Sequence, residues 1–269
     1  FNMLCDEIGY VPAFHDPGNK TIFGVTDNFD YQGLHDLLFD IRRDEIAEYI
    51  CRKIYIEFVA PQVSDEIVLE LANVFKANNF EIAPVIRTLL KSDHFFDETV
   101  LGTKVKSPYE SYLQLIKELD VPYDQGTIDT LYLVTTDQGQ QLYNPPNVAG
   151  WPGNRSWVDS TTLPKRWEIY DLYIFVLFTS YTEQLRDLVK RMTSNSNEVE
   201  EVVQSIVEYM IPVGLTTDME FEEAVDVFKD RIPQNYFEDG SWNLDWDEAP
   251  YQIILLLRHL VRLPDFQIF

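Results

Sequence analysis

The side chains best suited to chemistry in this chain fall in a few short stretches. The first runs Asn144-Pro145-Pro146-Asn147-Val148-Ala149-Gly150-Trp151-Pro152-Gly153-Asn154-Arg155-Ser156-Trp157. Successive prolines stiffen the backbone toward polyproline II. Gly150 and Gly153 allow positive φ or close backbone approach. Trp151 and Trp157 offer flat apolar faces with one N–H donor each. Asn144, Asn147 and Asn154 supply amides. Such a loop suits stacking on sugar rings or clamping a partner strand. The alternative is a rigid plug between helices, with both indoles in the core.

The second group is His15-Asp16 with Lys20, together with Lys104 and Lys106. A His–carboxylate pair beside an ammonium could act as general acid and base or hold an anion. Against this, lysines in an acidic chain pair with surplus carboxylates for little gain. The third is the acidic run Asp239 to Glu248, where Asn243, Asp245 and Asp247 alternate as oxygen donors suited to Ca²⁺. Its glycine is misplaced for an EF-hand, and a solvated turn capping the next helix is the competing account. No metal centre is therefore assigned. Cys5 and Cys51 form the single candidate disulfide. His35, His94 and His259 stand singly. Gly-x-Ser-x-Gly, His-Glu-x-x-His and phosphate-binding glycine loops do not occur, so no cofactor is indicated.

Composition narrows the options. Lys plus Arg number 21 against 45 Asp plus Glu, a formal net charge of −24. Such a chain repels phosphate backbones and anionic membrane surfaces. Hydrophobic residues make up 45% and aromatics 14%, which argues for a folded chain with a large core. The most apolar run, Ile169 to Tyr181, is too short for a membrane span and contains Asp171, so it reads as a buried helix. Residue 1 is Phe rather than Met, and no signal peptide is visible, which suggests a fragment or a processed product.

The elements that must position these groups are helical. Apolar residues recur at helical spacing after Asp30 (Tyr31 to Ile41), from Asp44 to Phe58, after Ser64, and from Glu81 to Ser92. Ser107-Pro108 reads as an N-cap followed by a proline at the first helical position, opening a helix to Leu119. Further helices are expected at Thr127–Leu133, Thr162–Tyr181, Glu183–Met192, Glu198–Met210, Asp218–Phe228 and Tyr251–Leu263. Strict alternation is nearly absent. The expectation is an all-α, irregular multi-helix bundle of short helices with a long Pro/Gly/Trp-rich loop. Residues 1–141 would form an N-terminal helical part, 142–164 the rigid loop, and 165–269 a C-terminal helical part.

Several of these stretches together resemble a bacterial family, domain of unknown function 1800. They are His15-Asp16 with Gly18 and Lys20, Phe23-Gly24 with Asn28-Phe29-Asp30, Gly102-Thr103-Lys104-Val105-Lys106-Ser107-Pro108, Asn144 to Gly153 with Trp157, and the closing Leu263-Pro264-Asp265-Phe266-Gln267. The resemblance spans nearly the whole chain but only the C-terminal half or so of the family's usual length. Family members commonly carry an export signal, which implies an extracytoplasmic place, in the periplasm or at the bacterial cell surface. The family has no established activity.

Two functional expectations follow. The leading one is a binding or assembly component of the cell envelope. Asn144, Asn147, Trp151, Trp157, Lys104 and Lys106 would then form its contact surface. Its partner would be an envelope protein, the absent N-terminal half of the family, or a glycan, and neither nucleic acid nor a membrane span is expected. The other is an envelope hydrolase acting on polysaccharide, drawing on His15, Asp16 and Lys20. A glycosidase needs two facing carboxylates at a defined separation, and sequence alone does not select a pair.

Overall fold

The computed structural model describes residues 12–269. Among them, twelve α-helices and one two-stranded hairpin confirm an all-α architecture. The chain divides into two compact units, Phe1–Asp97 and Glu98–Phe269. The Pro/Gly/Trp segment lies inside the second.

The first unit opens with strands β1 (Lys20–Ile22) and β2 (Val25–Asp27), paired antiparallel with Lys20 opposite Asp27. Phe23 and Gly24 close the turn with φ of 51° and 83°, the double left-handed conformation a two-residue hairpin turn demands. Helices α1 (Tyr31–Ile41), α2 (Arg43–Phe58), α3 (Asp65–Ala77) and α4 (Ile82–Leu90) follow. Asp30 and Ser64 each accept a backbone N–H as N-caps, as their side chains predict. Ala47, Cys51 and Tyr55 of α2 face Val68, Leu71, Ala72 and Phe75 of α3 within a buried core. The Tyr55 hydroxyl meets His94 Nε2 at 2.5 Å.

The second unit holds α5 (Pro108–Glu118), α6 (Gln125–Asp137), α7 (Thr162–Ser180), α8 (Thr182–Met192), α9 (Val199–Met210), α10 (Asp218–Lys229), the short α11 (Asn235–Glu238) and α12 (Ala249–Leu260). Helix α12 is its centre, packed against α7, α8, α9 and α10 and burying Ile253, Ile254, Leu256, Leu257 and Leu260. Its apolar residues occupy more than one face, as a central helix requires. Ser107 and Glu110 form a reciprocal capping box with Pro108 at the start of α5. Helix α6 runs longer at both ends than its apolar spacing predicts. Asp124 accepts the Thr127 N–H and Thr127 answers the Asp124 N–H, so the start is set by a capping exchange one turn upstream.

Helix α7 departs from the expectation of a wholly buried element. Arg166, Tyr170, Tyr173, Ile174 and Leu177 form one inward stripe, while Leu172 and Phe175 on the other side are exposed. Among the described residues, no helix is long and apolar enough to cross a membrane.

Candidate functional site

Three segments far apart in sequence meet at one buried polar knot in the second unit. Residues 104–106 run antiparallel to 267–269. Lys106 N–H donates to Gln267 O at 2.8 Å, Phe269 N–H donates to Lys104 O at 3.0 Å, and Val105 bridges Ile268. Asn154 closes the other side, its Oδ1 accepting the Val105 N–H at 3.2 Å. At the centre sits Arg166 of α7, 0% exposed. Its guanidinium donates to Lys106 O at 2.9 Å, Trp157 O at 3.1 Å and Gln267 Oε1 at 3.4 Å. Gln267 donates onward to Val261 O at 3.0 Å. The Tyr170 hydroxyl donates to Gln267 Oε1 at 3.4 Å and contacts Ser111. A planar fork fixed by carbonyls from separate segments is the arrangement that suits arginine and not lysine.

Lys106 is 1% exposed, with its ammonium donating to Phe266 O at 2.6 Å and lying 4.6 Å from the Phe266 ring centre. Burial pulls its pKa down from 10.5 to about 8, and the Arg166 charge adds to the fall against the opposing pull of Glu110 and Glu118. Two cations enclosed by carbonyls and aromatic faces, without a carboxylate hydrogen-bonded to either, form a tie between chain segments. Arg166 and Lys106 are closed off from solvent at its centre.

This decides where several expected site residues stand. Lys106 and Trp157, expected as binding residues, are interior. Trp157 is 7% exposed and its carbonyl anchors Arg166. Trp151 is half-buried, so the paired indoles form no open platform. Asn144 and Asn147 are exposed, but their side chains serve the loop itself. Asn144 donates to Gln141 Oε1 at 2.6 Å, and Asn147 Oδ1 accepts the Ala149 N–H at 2.8 Å. Lys104 lies 5.4 Å from the Phe269 ring centre. In the first unit, Asp16 accepts the Gly18 N–H at 2.8 Å, and Lys20 donates to the carbonyls of Asp16 and Gly18 at 2.5 and 3.0 Å. His15, Asp16 and Lys20 thus belong to a turn leading into the hairpin. Among the described residues Cys51 is a free, buried thiol, raised to about 11 by burial. Its candidate partner Cys5 lies outside the described residues.

Two of the three alternating oxygen donors considered for calcium are engaged within the fold. Asn243 Oδ1 accepts the Asp245 N–H at 2.9 Å and Asp245 pairs with Lys190. Among the described residues no cluster of three or more His, Cys, Asp or Glu could hold a metal ion. The third candidate, Asp247, faces elsewhere: it lines a cleft of about 640 Å³.

That cleft opens on the second unit. Its aromatic wall is Phe178 of α7, Tyr236 of α11, Trp246, and Tyr251 of α12. Tyr236 and Trp246 meet edge to face, with centroids 5.1 Å apart and planes at 72°. Asp230, Asp247 and Glu248 bring three carboxylates. Arg231 spans Asp230 at 3.3 Å and the Tyr251 face at 5.4 Å. The supports are buried. Trp242 donates its indole N–H to Gln252 Oε1 at 2.8 Å, and Gln252 donates to Phe228 O at 2.9 Å. Arg186 of α8 donates to the carbonyls of Leu244 and Trp246. The loop carrying Trp246, Asp247 and Glu248 is therefore clamped to α8, α10 and α12.

The sequence matches the family model described as Protein of unknown function (DUF1800) over residues 5–268. The chain belongs to this family. No curated protein and no solved structure matches it. In this DUF1800 chain, two of the stretches that carry the resemblance, 102–108 and 263–267, meet Trp157 at the Arg166 knot. Sequence reasoning missed Arg166, because one arginine in an apolar helix carries no motif. It also missed the aromatic cleft. The only signal was an irregular segment, 232–250, rich in Trp and acid.

Proposed function

We propose that this DUF1800 chain is a binding component of the bacterial cell envelope that takes a neutral or amino-sugar glycan in the aromatic–carboxylate cleft. The observation that carries this reading is the convergence of Tyr236, Trp246 and Tyr251 with Asp247 and Glu248 on one clamped cleft. Aromatic faces bind the apolar faces of a polyhydroxylated ring, and carboxylates accept hydrogen bonds from its hydroxyls or ammonium. Three carboxylates against one arginine disfavour anionic polymers. The envelope location rests on the export habit of the family. Asp247 and Glu248 are both exposed, whereas a glycosidase acid is held in enclosed surroundings; this favours binding over hydrolysis.

The test is calorimetric titration of the whole chain with a chitosan tetramer, its N-acetylated form, and an alginate tetramer. Binding of either of the first two but not the third is expected. Trp246→Ala should weaken it about thirtyfold, on the order of 2 kcal/mol for loss of a central aromatic anchor. Tyr236→Ala, at a more exposed ring, gives the same reading with less risk to folding. Unchanged affinity in both variants would remove the cleft from consideration. Release of reducing ends by the wild type, lost in Glu248→Gln, would put hydrolysis first.

A further inference from the structure

A second concave site lies against the outside of the Arg166 knot, separate from the aromatic cleft and independent of its function. It is a groove of about 440 Å³ built by residues from three segments, 105, 155–167 and 262–268. That volume is within the roughly 300–1,000 Å³ of small-molecule sites. Its wall is apolar: Val105, Val158, Leu163, Trp167 and Ile268. Its charged side chains are Arg155 and Arg262, and no Asp or Glu lines it.

In a chain of net charge −24 this is an unusual local balance. Three other clefts of the unit each include carboxylates: Asp120 and Glu208, Glu168 and Asp171, and Asp137 and Glu168. Arg155 is exposed and enters no ion pair among the described residues. Arg262 shares a single carboxylate, Asp171, with Arg258, at 2.5 Å and 3.1 Å respectively. An apolar trough whose charged lining consists of two arginines is complementary to an apolar anion. A carboxylate matches the planar guanidinium fork.

We propose that this groove binds a free medium-chain fatty carboxylate. The hydrocarbon tail packs on Val158, Leu163, Trp167 and Ile268, and the head group is held by Arg155 with support from Arg262. The tail contributes by removing apolar surface from water, and the arginines set the sign of the charge accepted.

The experiment is calorimetric titration of the whole chain with decanoate, decanol and decylammonium, below the concentration at which each forms micelles. Decanoate is expected to bind at least about tenfold more tightly than decanol, the scale of one charge-assisted hydrogen bond. Decylammonium is expected not to bind. Raising the salt should weaken decanoate and leave decanol unchanged. Arg155→Gln, at an exposed position that leaves the knot intact, should erase the advantage of decanoate over decanol. Equal affinity for decanoate and decanol, or an undiminished advantage in Arg155→Gln, would overturn the proposal. So would a peptide with a free apolar C-terminus that binds more tightly than decanoate at the same residues, since the groove would then be a protein-tail site.

Discussion

Arg166→Met lowers the unfolding free energy of the second unit by about 2 kcal/mol and its melting temperature by roughly 6 °C. The size follows from what is left behind. The guanidinium satisfies the carbonyl of Lys106, the carbonyl of Trp157 and the side-chain oxygen of Gln267. Methionine fills much of the volume but leaves the Lys106 carbonyl without a donor, whereas Trp157 O keeps the Thr162 hydroxyl and Gln267 Oε1 keeps the Tyr170 hydroxyl. Each buried acceptor left unmatched costs about 1–3 kcal/mol. Part of the loss is offset because an enclosed cation no longer has to be desolvated. For a unit of this size about 1 kcal/mol moves the midpoint by some 2–4 °C. Arg166→Lys should recover only part of the difference, because a single ammonium cannot reach acceptors on three segments. Thermal unfolding of the three proteins decides it: a methionine variant melting within about 2 °C of wild type would mean the knot is incidental.

Lys106 makes the same knot sensitive to alkali. In the unfolded chain this lysine has its ordinary pKa of 10.5, and in the folded chain about 8. Between those values the unfolded chain holds a proton that the folded chain has released, so stability rises with pH across that window. Below about pH 8 both states are protonated and the full cost of burying the charge is present. The difference corresponds to roughly 3 kcal/mol. Lys106→Met carries no such charge. Its stability relative to wild type should therefore fall by about that amount between pH 7 and pH 11. Taking the difference between the two proteins cancels the titration of the other lysines and of the tyrosines. Buried Tyr112 and Tyr170 are both pushed upward by desolvation. Urea unfolding of both proteins across that range is the measurement. A constant offset would show that Lys106 titrates normally and that its burial is relieved by some other route.

Local grammar made much of this protein legible without coordinates. Asp30, Ser64 and Ser107 cap helices because their short oxygens reach a backbone N–H within one turn. Apolar spacing in 199–210 and 249–260 reports burial because it repeats with the helix. The all-α class follows from such signals, and the family resemblance from the motifs at 102–108, 144–153 and 263–267. The hairpin at Lys20–Asp27 was too short to show a period. The ends of α6 depended on a side-chain exchange lying outside the apolar stripe.

The sites were decided by tertiary structure alone. Trp157 has the same side chain as Trp246, yet the first is interior and the second lines an open cleft. Nothing in the neighbouring residues distinguishes them, because exposure depends on what packs from elsewhere. Arg166 finds its acceptors 60, 9 and 101 residues away. Asp247 sits among alternating oxygen donors that look like a calcium loop, yet Asp245 pairs with Lys190 and Asp247 lines an aromatic cleft. Caps and periodicity act over one or two turns and are written in consecutive residues. Enclosure, and the chemistry it permits, arises from contacts between segments whose spacing along the chain carries no record of their meeting.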